Sequence, residues 1–295
     1  MTEENKVPGF DEFVAIDWSG AVRNYDGIAV AKCRPGRSAP SLVNAPGTHW
    51  TRSAIVDWLK YELGRGQRLL IGFDFAFGFP YEPDSGYLGG KASGIDDIFS
   101  LWSLIEAKSS EDPDFGCMRF VGDADYASLF WLQGSKPEYW VERKRRTEHA
   151  CAEVTKTRPD TLYKMLHSKQ VGKASITGMR VLHHIHTTTT GRVAIWPFET
   201  VCASAIVEIY PTMFRKIAAG TVAKIRSRPE LDSALRQIHS EPMPASAYTE
   251  LSDHETDALL SAAGLRKIAG DPAVWNPPEG TSPRVRREGW IFGVC

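Results

Sequence analysis

Three apolar stretches of this chain carry a carboxylate where a buried strand would carry another hydrocarbon. "FVAIDWSG" (13–20) alternates as a strand does, with Val14 and Ile16 on one face and Phe13 and Ala15 on the other, then reaches Asp17 before a Ser-Gly turn. "LLIGFDFAFGFP" meets Asp74 after its own apolar run, and "SAIVEIYP" holds Glu208 inside one. A fourth acid, Asp257, lies in "SDHETDALLSAAG" near the start of a late helix. Two unit charges ~5 Å apart at an effective dielectric of ~20 repel by roughly 3 kcal/mol, so four gathered carboxylates need either protons or a hard cation. Oxygen donors without cysteine favour magnesium or manganese over zinc. Two such ions ~4 Å apart would clamp the attacking and leaving oxygens of a phosphodiester. Asp17, Asp74, Glu208 and Asp257 are therefore the expected catalytic and metal-binding set. Asp253, one helical turn before Asp257, is a further expected ligand, and His254 stands at i, i+3 to Asp257 on the same face. His254, Ser19 and Glu199 are expected in supporting places around the metal. Solvation and the helix dipole also favour acids at strand ends and helix N-termini, so a purely structural reading accounts for any one of these carboxylates alone.

The elements that must position these residues fall into three stretches. Residues 1–80 read as the first part of an α/β core: strands near 12–17, 27–33 and 41–46, a helix over "TRSAIVDWLKYELGRG", and a further strand over "RLLIGFD". Residues 81–190 read as a mainly helical insertion. It opens on the Gly/Pro-rich "FPYEPDSGYLGGKASG" and continues with a helix around 98–105, a charged helix over "KPEYWVERKRRTEHACAEV", and "GMRVLHHIHTTTTG". Residues 191–295 return to strand and helix, with strands at 192–199 and 204–211 and helices over "TMFRKIAAG" and "SRPELDSALRQIH". Ser252 with Glu255 forms a capping box, which starts the last long helix at Asp253. "GWIFGV" (289–294) reads as a closing edge strand. If the strands bearing Asp17, Asp74 and Glu208 are parallel neighbours, their carboxyl ends share one crevice, and the helix from 253 lays Asp257 across it.

Bulk composition narrows the partners and the compartment. The 295 residues are 42% hydrophobic and 24% charged, near the average for globular chains, with a formal net charge of -1 that supplies no global field for nucleic acid. Phosphate contacts must then be local. "RKRR" supplies Arg143, Lys144, Arg145 and Arg146 for that purpose, with Trp140 as a stacking aromatic, although a solvated helix face would give the same run. Five cysteines without a CxxC pair argue for a reducing compartment and against a zinc ribbon. "MTEENKVPGF" lacks the apolar core of a signal peptide, and no stretch approaches the ~20 apolar residues of a membrane span, so a cytoplasmic location is expected.

"VAIDWSG", "IGFDFAFGFP", "IWPFE", "VEIYP", "DHETDALLSA" and "EGWIFGV", with "VGKASITGMRVL" between them, resemble in order an uncharacterised family of predicted RNase H-like nucleases. The resemblance covers most of the chain. It implies a ribonuclease-H-like α/β fold whose mixed five-stranded sheet has three antiparallel strands followed by two parallel ones, flanked by helices. It also implies that Asp17 is the first-strand aspartate, Asp74 the fourth-strand acid, Glu208 part of the fifth-strand motif and Asp257 part of the last-helix acidic motif. His254 with Asp257 resembles the His-x-x-Asp pair of junction-resolving members of that superfamily.

The expected function is a magnesium- or manganese-dependent nuclease acting on DNA or RNA. The rival enzyme reading is a nucleotide-binding phosphotransferase of the actin and sugar-kinase type, with "DWSG" as a phosphate turn, but one core and few glycine loops are present. A non-catalytic interaction module on the same fold is the third reading. "GKAS" at 90–93 and 172–175 lacks the Walker spacing, "HHIH" (183–186) has no cysteine or acid in step, and no Gly-x-Ser-x-Gly elbow exists.

Overall fold

Alternation along the first strand decides which helices cover which side of the sheet. A computed structural model describes residues 8–21, 27–166, 171–244, 247, 250–277 and 283–295. Strand β1 (Glu12–Asp17) is followed by β2 (Ala29–Cys33), a two-residue β3 (Ser41–Leu42), helix α1 (Arg52–Gly64) and β4 (Leu69–Phe73). Val14, Ile16, Val30, Ile71 and Phe73 enter one hydrophobic cluster, and Phe13, Ala15, Ala31 and Leu70 enter the other. The period of two thus holds across three strands, and each face has its own core.

The middle of the chain builds the first face. A small hairpin of β5 (Tyr81–Glu82) and β6 (Gly86–Tyr87) leads to α2 (Ile98–Ser109), α3 (Met118–Val121), α4 (Arg146–Thr155) and α5 (Val171–Thr188). Phe79, Trp102, Ile105 and Leu182 share a core with Val14 and Ile16, so the helical insertion supplies half of the sheet's cover. The expected helix over "KPEYWVERKRRTEHACAEV" forms only from Arg146. The residues before it are irregular, because Glu148 accepts the backbone N–H of Arg145 at 2.5 Å and starts the helix there.

The last third covers the other face. β7 (Val193–Ile195) and β8 (Ser204–Glu208) join the sheet, followed by α6 (Pro211–Ala219), α7 (Arg228–Gln237), α8 (Asp253–Ile268) and the short α9 (Val285–Glu288). The sheet is mixed and six-stranded, in the order β3-β2-β1-β4-β8-β7, one strand more than expected. β2 runs antiparallel to both β1 and β3, while β4 lies parallel between β1 and β8, and β7 is parallel to β8. Every residue of β4 and of β8 is buried, as parallel strands covered on both faces require. α8 is buried at every position from Thr256 to Leu265, because it is sandwiched between β1–β2 and the helices α6 and α7. Its capping box of Ser252 and Glu255 starts it at Asp253 as expected.

Two strand expectations shorten in three dimensions. β7 stops at Ile195, where the chain folds into a turn: Phe198 N and Glu199 N donate to Ile195 O at 3.0 and 3.1 Å. "GWIFGV" is not an edge strand: Ile291 makes a single bridge to Glu208, and the chain turns so that Trp290 Nε1 donates to Val294 O at 2.7 Å. Among the described residues no helix is long and apolar enough to cross a membrane.

The turn after β1 is held from two sides. Trp18 Nε1 donates to Thr177 Oγ1 of α5 at 3.1 Å, and the buried guanidinium of Arg52 donates to Ser19 O at 2.9 Å and to Ala21 O at 2.6 Å. Gly20 passes so close to α5 that a Cβ there would stand 2.3 Å from Ala174 N and 2.6 Å from Lys173 C. Both are backbone atoms of a helix, which cannot yield as a side-chain tip can. Gly20→Ala should therefore cost about 1–3 kcal/mol of stability, the range for overpacking. Urea unfolding of the two proteins measures it, and coincident curves would show that the turn shifts freely.

Candidate active site

Asp17 and Asp74 meet because their strands do. β1 and β4 are parallel with Ile16 opposite Phe73, so the next residues of each strand, Asp17 and Asp74, follow side by side; Asp74 N donates to Ile16 O at 3.0 Å. Ile16 and Phe73 face the α1, α2 and α5 side, so both aspartates face α8. There His254 Nδ1 lies 2.6 Å from Asp17 Oδ2. Asp257, one turn further along α8, is buried, with its two oxygens taken by Arg215 of α6 and by Lys224.

The electrostatics of the three aspartates are linked. Burial pushes the Asp74 carboxyl well above the usual carboxylate range, and the charges of Asp17 and Asp257 push it further, against Lys224 and Arg215. No hydrogen bond relieves Asp74 among the described residues. Asp17 is raised by burial too, opposed by the hydrogen bond from His254. That same bond raises the imidazole of His254 above its ordinary value, against partial burial. All of these residues line one open cleft of about 790 Å³ at the carboxyl ends of the parallel strands.

Glu208 lines the cleft but belongs to its opposite side. The register sets Glu208 beside Phe73, so it faces the insertion, away from α8. Arg145 closes on it with two bonds, Nη2 to Oε1 at 2.5 Å and Nη1 to Oε2 at 2.8 Å, while Phe77 N donates to Oε2 at 3.0 Å. Arg145 also binds Glu148 Oε1 through Nε at 2.7 Å and the Glu288 carbonyl through Nη1 at 2.9 Å. The four expected acids therefore do not converge on one point. Among the described residues no three His, Cys, Asp or Glu side chains stand together as a ready metal cage.

The remaining expected residues are dispersed. Ser19 lines the cleft, its Oγ accepting from Ala21 N at 3.2 Å. Asp253 pairs with the exposed Arg226 at 3.3 Å and does not line the cleft. Glu199 caps its own turn through Ile195 N at 2.8 Å and faces His186 at 3.4 Å, on another part of the molecule. The basic run makes no continuous face, because only Arg145 of it is fully buried while its neighbours point elsewhere. Arg143 lies over the Tyr163 ring at 5.8 Å and Lys144 pairs with Glu142 at 3.3 Å. Arg146 is exposed at the start of α4. Trp140 is buried against Trp131, and the exposed aromatic of this segment is Tyr139.

Sequence reasoning passed over Arg215, Lys224 and Arg158, which supply positive charge to the cleft. Arg215 had a readable signal. It interrupts the apolar stripe of Pro211, Phe214 and Ala218, and a cation on the inward face of a helix needs a buried partner. Lys224 lies in an irregular segment with no such pattern.

A hard cation fits the Asp17–Asp74 pair better than any other acids here. The two carboxylates are adjacent and Asp74 has no hydrogen-bond partner among the described residues, so added positive charge would relieve their repulsion. No protein-family model, curated protein or solved structure matches the chain.

Two outcomes follow from these charges. Arg145→Met strands Glu208 and Glu148 in a buried site and should destabilise the protein by about 3–5 kcal/mol, with Arg145→Met/Glu208→Gln recovering part of the loss. Denaturant titration of the three proteins measures this, and equal losses for the single and double variants would show that the stranded Glu208 charge carries none of the loss. The second outcome concerns pH. Asp74 has a raised folded-state pKa, so the native state is favoured while the group is protonated and loses that advantage as pH rises through the folded value. Asp74→Asn should then raise the melting temperature of the metal-free protein at neutral pH. The gain should shrink to nothing as pH falls to the ordinary aspartate range, and a gain independent of pH would exclude this cause.

Proposed function

We propose that this protein is a metal-dependent hydrolase of nucleic-acid phosphodiester bonds, built on a ribonuclease-H-like scaffold. The observation that carries the reading is Asp74, an acid without a hydrogen-bond partner among the described residues, side by side with Asp17 at the carboxyl ends of adjacent parallel strands in an open cleft. Strand order supports it as well: β3-β2-β1-β4-β8, three antiparallel strands and then parallel ones, is the arrangement the resemblance implies, with β7 added at the edge. Magnesium or manganese, held by Asp17 and Asp74, would supply a water made acidic enough to attack phosphorus and a charge to offset that on the phosphate.

The chain's own side chains divide the rest of the work. Asp17 orients His254 through Nδ1, and the other ring nitrogen has no partner among the described residues, so it can take or give a proton at a water or a leaving oxygen. Lys224 and Arg215 hold positive charge on the α6 side of the cleft. Arg145, bonded to β8, the insertion and the segment before Trp290, keeps the opposite wall in place. Cys33, Cys117 and Cys151 are buried free thiols, which fits a reducing compartment.

Calorimetry with manganese, together with cleavage of labelled DNA and RNA oligonucleotides, tests this reading. Wild-type protein should bind the ion and cut with it, and chelation should stop cleavage. Asp17→Asn and Asp74→Asn should each weaken metal binding by more than about a hundredfold, beyond the loss an outer partner costs. No heat of binding and no cleavage at millimolar manganese would exclude the reading. Binding of a nucleoside triphosphate without cleavage of either polymer would transfer the site to phosphoryl transfer.

A further inference from the structure

The Asp257 corner of the cleft carries more positive charge than an ion pair needs. One carboxylate, buried to 2% exposure, is met by two cations, Arg215 on Oδ1 and Lys224 on Oδ2. The sum of these three groups is one positive charge, facing the acidic pair of Asp17 and Asp74 across the same cleft. Arg215 is itself 4% exposed. Its Nη2 donates to Thr212 Oγ1 at 2.6 Å, and its Nε is a buried donor with no acceptor among the described residues. Lys224 has its side chain 39% exposed and gives only one of three donors to Asp257. Arg215 gives two of its five N–H groups to Asp257 and Thr212, and beside a half-exposed ammonium the rest of its fork is a donor set for an anion, with a planar geometry that suits carboxylate and phosphoryl oxygens.

The same corner is closed to metal. A second ion in a two-metal arrangement would draw on Asp257 and Glu208, but both oxygens of Asp257 are taken by cations. Both oxygens of Glu208 are likewise bound by Arg145, on the other face of the sheet. The two-ion expectation from the sequence therefore does not fit this donor set.

We propose that Arg215 and Lys224 form a phosphoryl-binding subsite, standing where a two-ion site would place its second metal, so that the cleft takes a single divalent cation. The proposal rests on the hydrolase reading for its substrate class, but the subsite is a property of the two cations and needs no metal to bind an anion. Arriving phosphate shares the charge that Asp257 alone holds in the free protein.

Two titrations test it, each on the full chain. In EDTA, inorganic phosphate should bind wild-type protein, and Lys224→Met, a change at a half-exposed side chain, should weaken it about tenfold, the loss expected for one charge-assisted hydrogen bond. Arg215→Lys keeps the charge but loses the guanidinium fork, and should weaken phosphate as well. In a separate titration without phosphate, wild-type protein should take one manganese ion. Lys224→Met should bind that ion several-fold more tightly, because a cation leaves the neighbourhood of Asp17 and Asp74. Opposite signs for phosphate and manganese mark the subsite, since a merely structural lysine would move both downward or neither. Two manganese ions per wild-type chain, or phosphate affinity equal in wild type and Lys224→Met, would overturn the proposal and leave the hydrolase reading standing. Phosphate binding that depends on Lys224 with no manganese bound at all would overturn the hydrolase reading and the single-cation stoichiometry, and leave the anion subsite standing.

Discussion

The register between β1, β4 and β8 governs everything at the mouth of the cleft. Pairing Ile16 with Phe73, and Phe73 with Glu208, puts these three side chains on one face of the sheet and sends Asp17 and Asp74 to the other. Because side chains alternate with a period of two, a slip of one residue at β8 would bring Glu208 to the α8 face and expel it from Arg145. The hydrophobic partition forbids that slip. Ile206 belongs with Val14 and Phe73, and Ala205 and Val207 belong with Leu70 and the buried face of α8. Core packing on two faces therefore decides which acid meets which base.

From that constraint the charges sort into two sets on either side of the sheet. On the insertion side, Arg145 satisfies Glu208 and Glu148 in a site where all three are nearly inaccessible, and the pairing fastens the start of α4 to β8. On the α8 side three acids and three close partners are shared unevenly. His254 answers Asp17 and two cations answer Asp257, while Asp74 is left with longer-range compensation only. A buried network with every member satisfied stiffens a fold, whereas a carboxyl that faces a cleft beside other acids meets repulsion that a bound cation can relieve. The first set reads as architecture and the second as a site.

The turn that follows β1 links the two sides. Arg52, buried at the start of α1, donates to the carbonyls of Ser19 and Ala21, and Asp114 caps the same helix through Ser53 N at 2.8 Å. Trp18 reaches across to Thr177 and stacks edge-on against Phe73 at 5.5 Å. Thus the residues immediately after Asp17 are fixed by α1 and α5, elements of the opposite face. The position of Asp17 depends on packing that its own face does not provide.

Local pattern was sufficient for the central strands, for the start of α8 and for the acids that line the cleft. Alternation marked β1, an unbroken apolar run marked β4, the Ser252–Glu255 box marked the first turn of α8, and the acids at 17, 74 and 257 were visible as charges at the margins of apolar runs. These features depend on neighbours a few residues away, so the chain itself displays them. Glu208 showed the same local pattern and yet faces the other way, because parity within one strand does not say which face is which until the strand is paired. Arg145 likewise looked like one member of a basic surface run, and only the approach of β8, 63 residues later, makes it a buried counter-ion. Arg215 and Lys224 acquire their roles through Asp257, 42 and 33 residues beyond them. Residue chemistry and period are local quantities, but the pairing of charges is decided by register and by distance in space, which only the assembled sheet supplies.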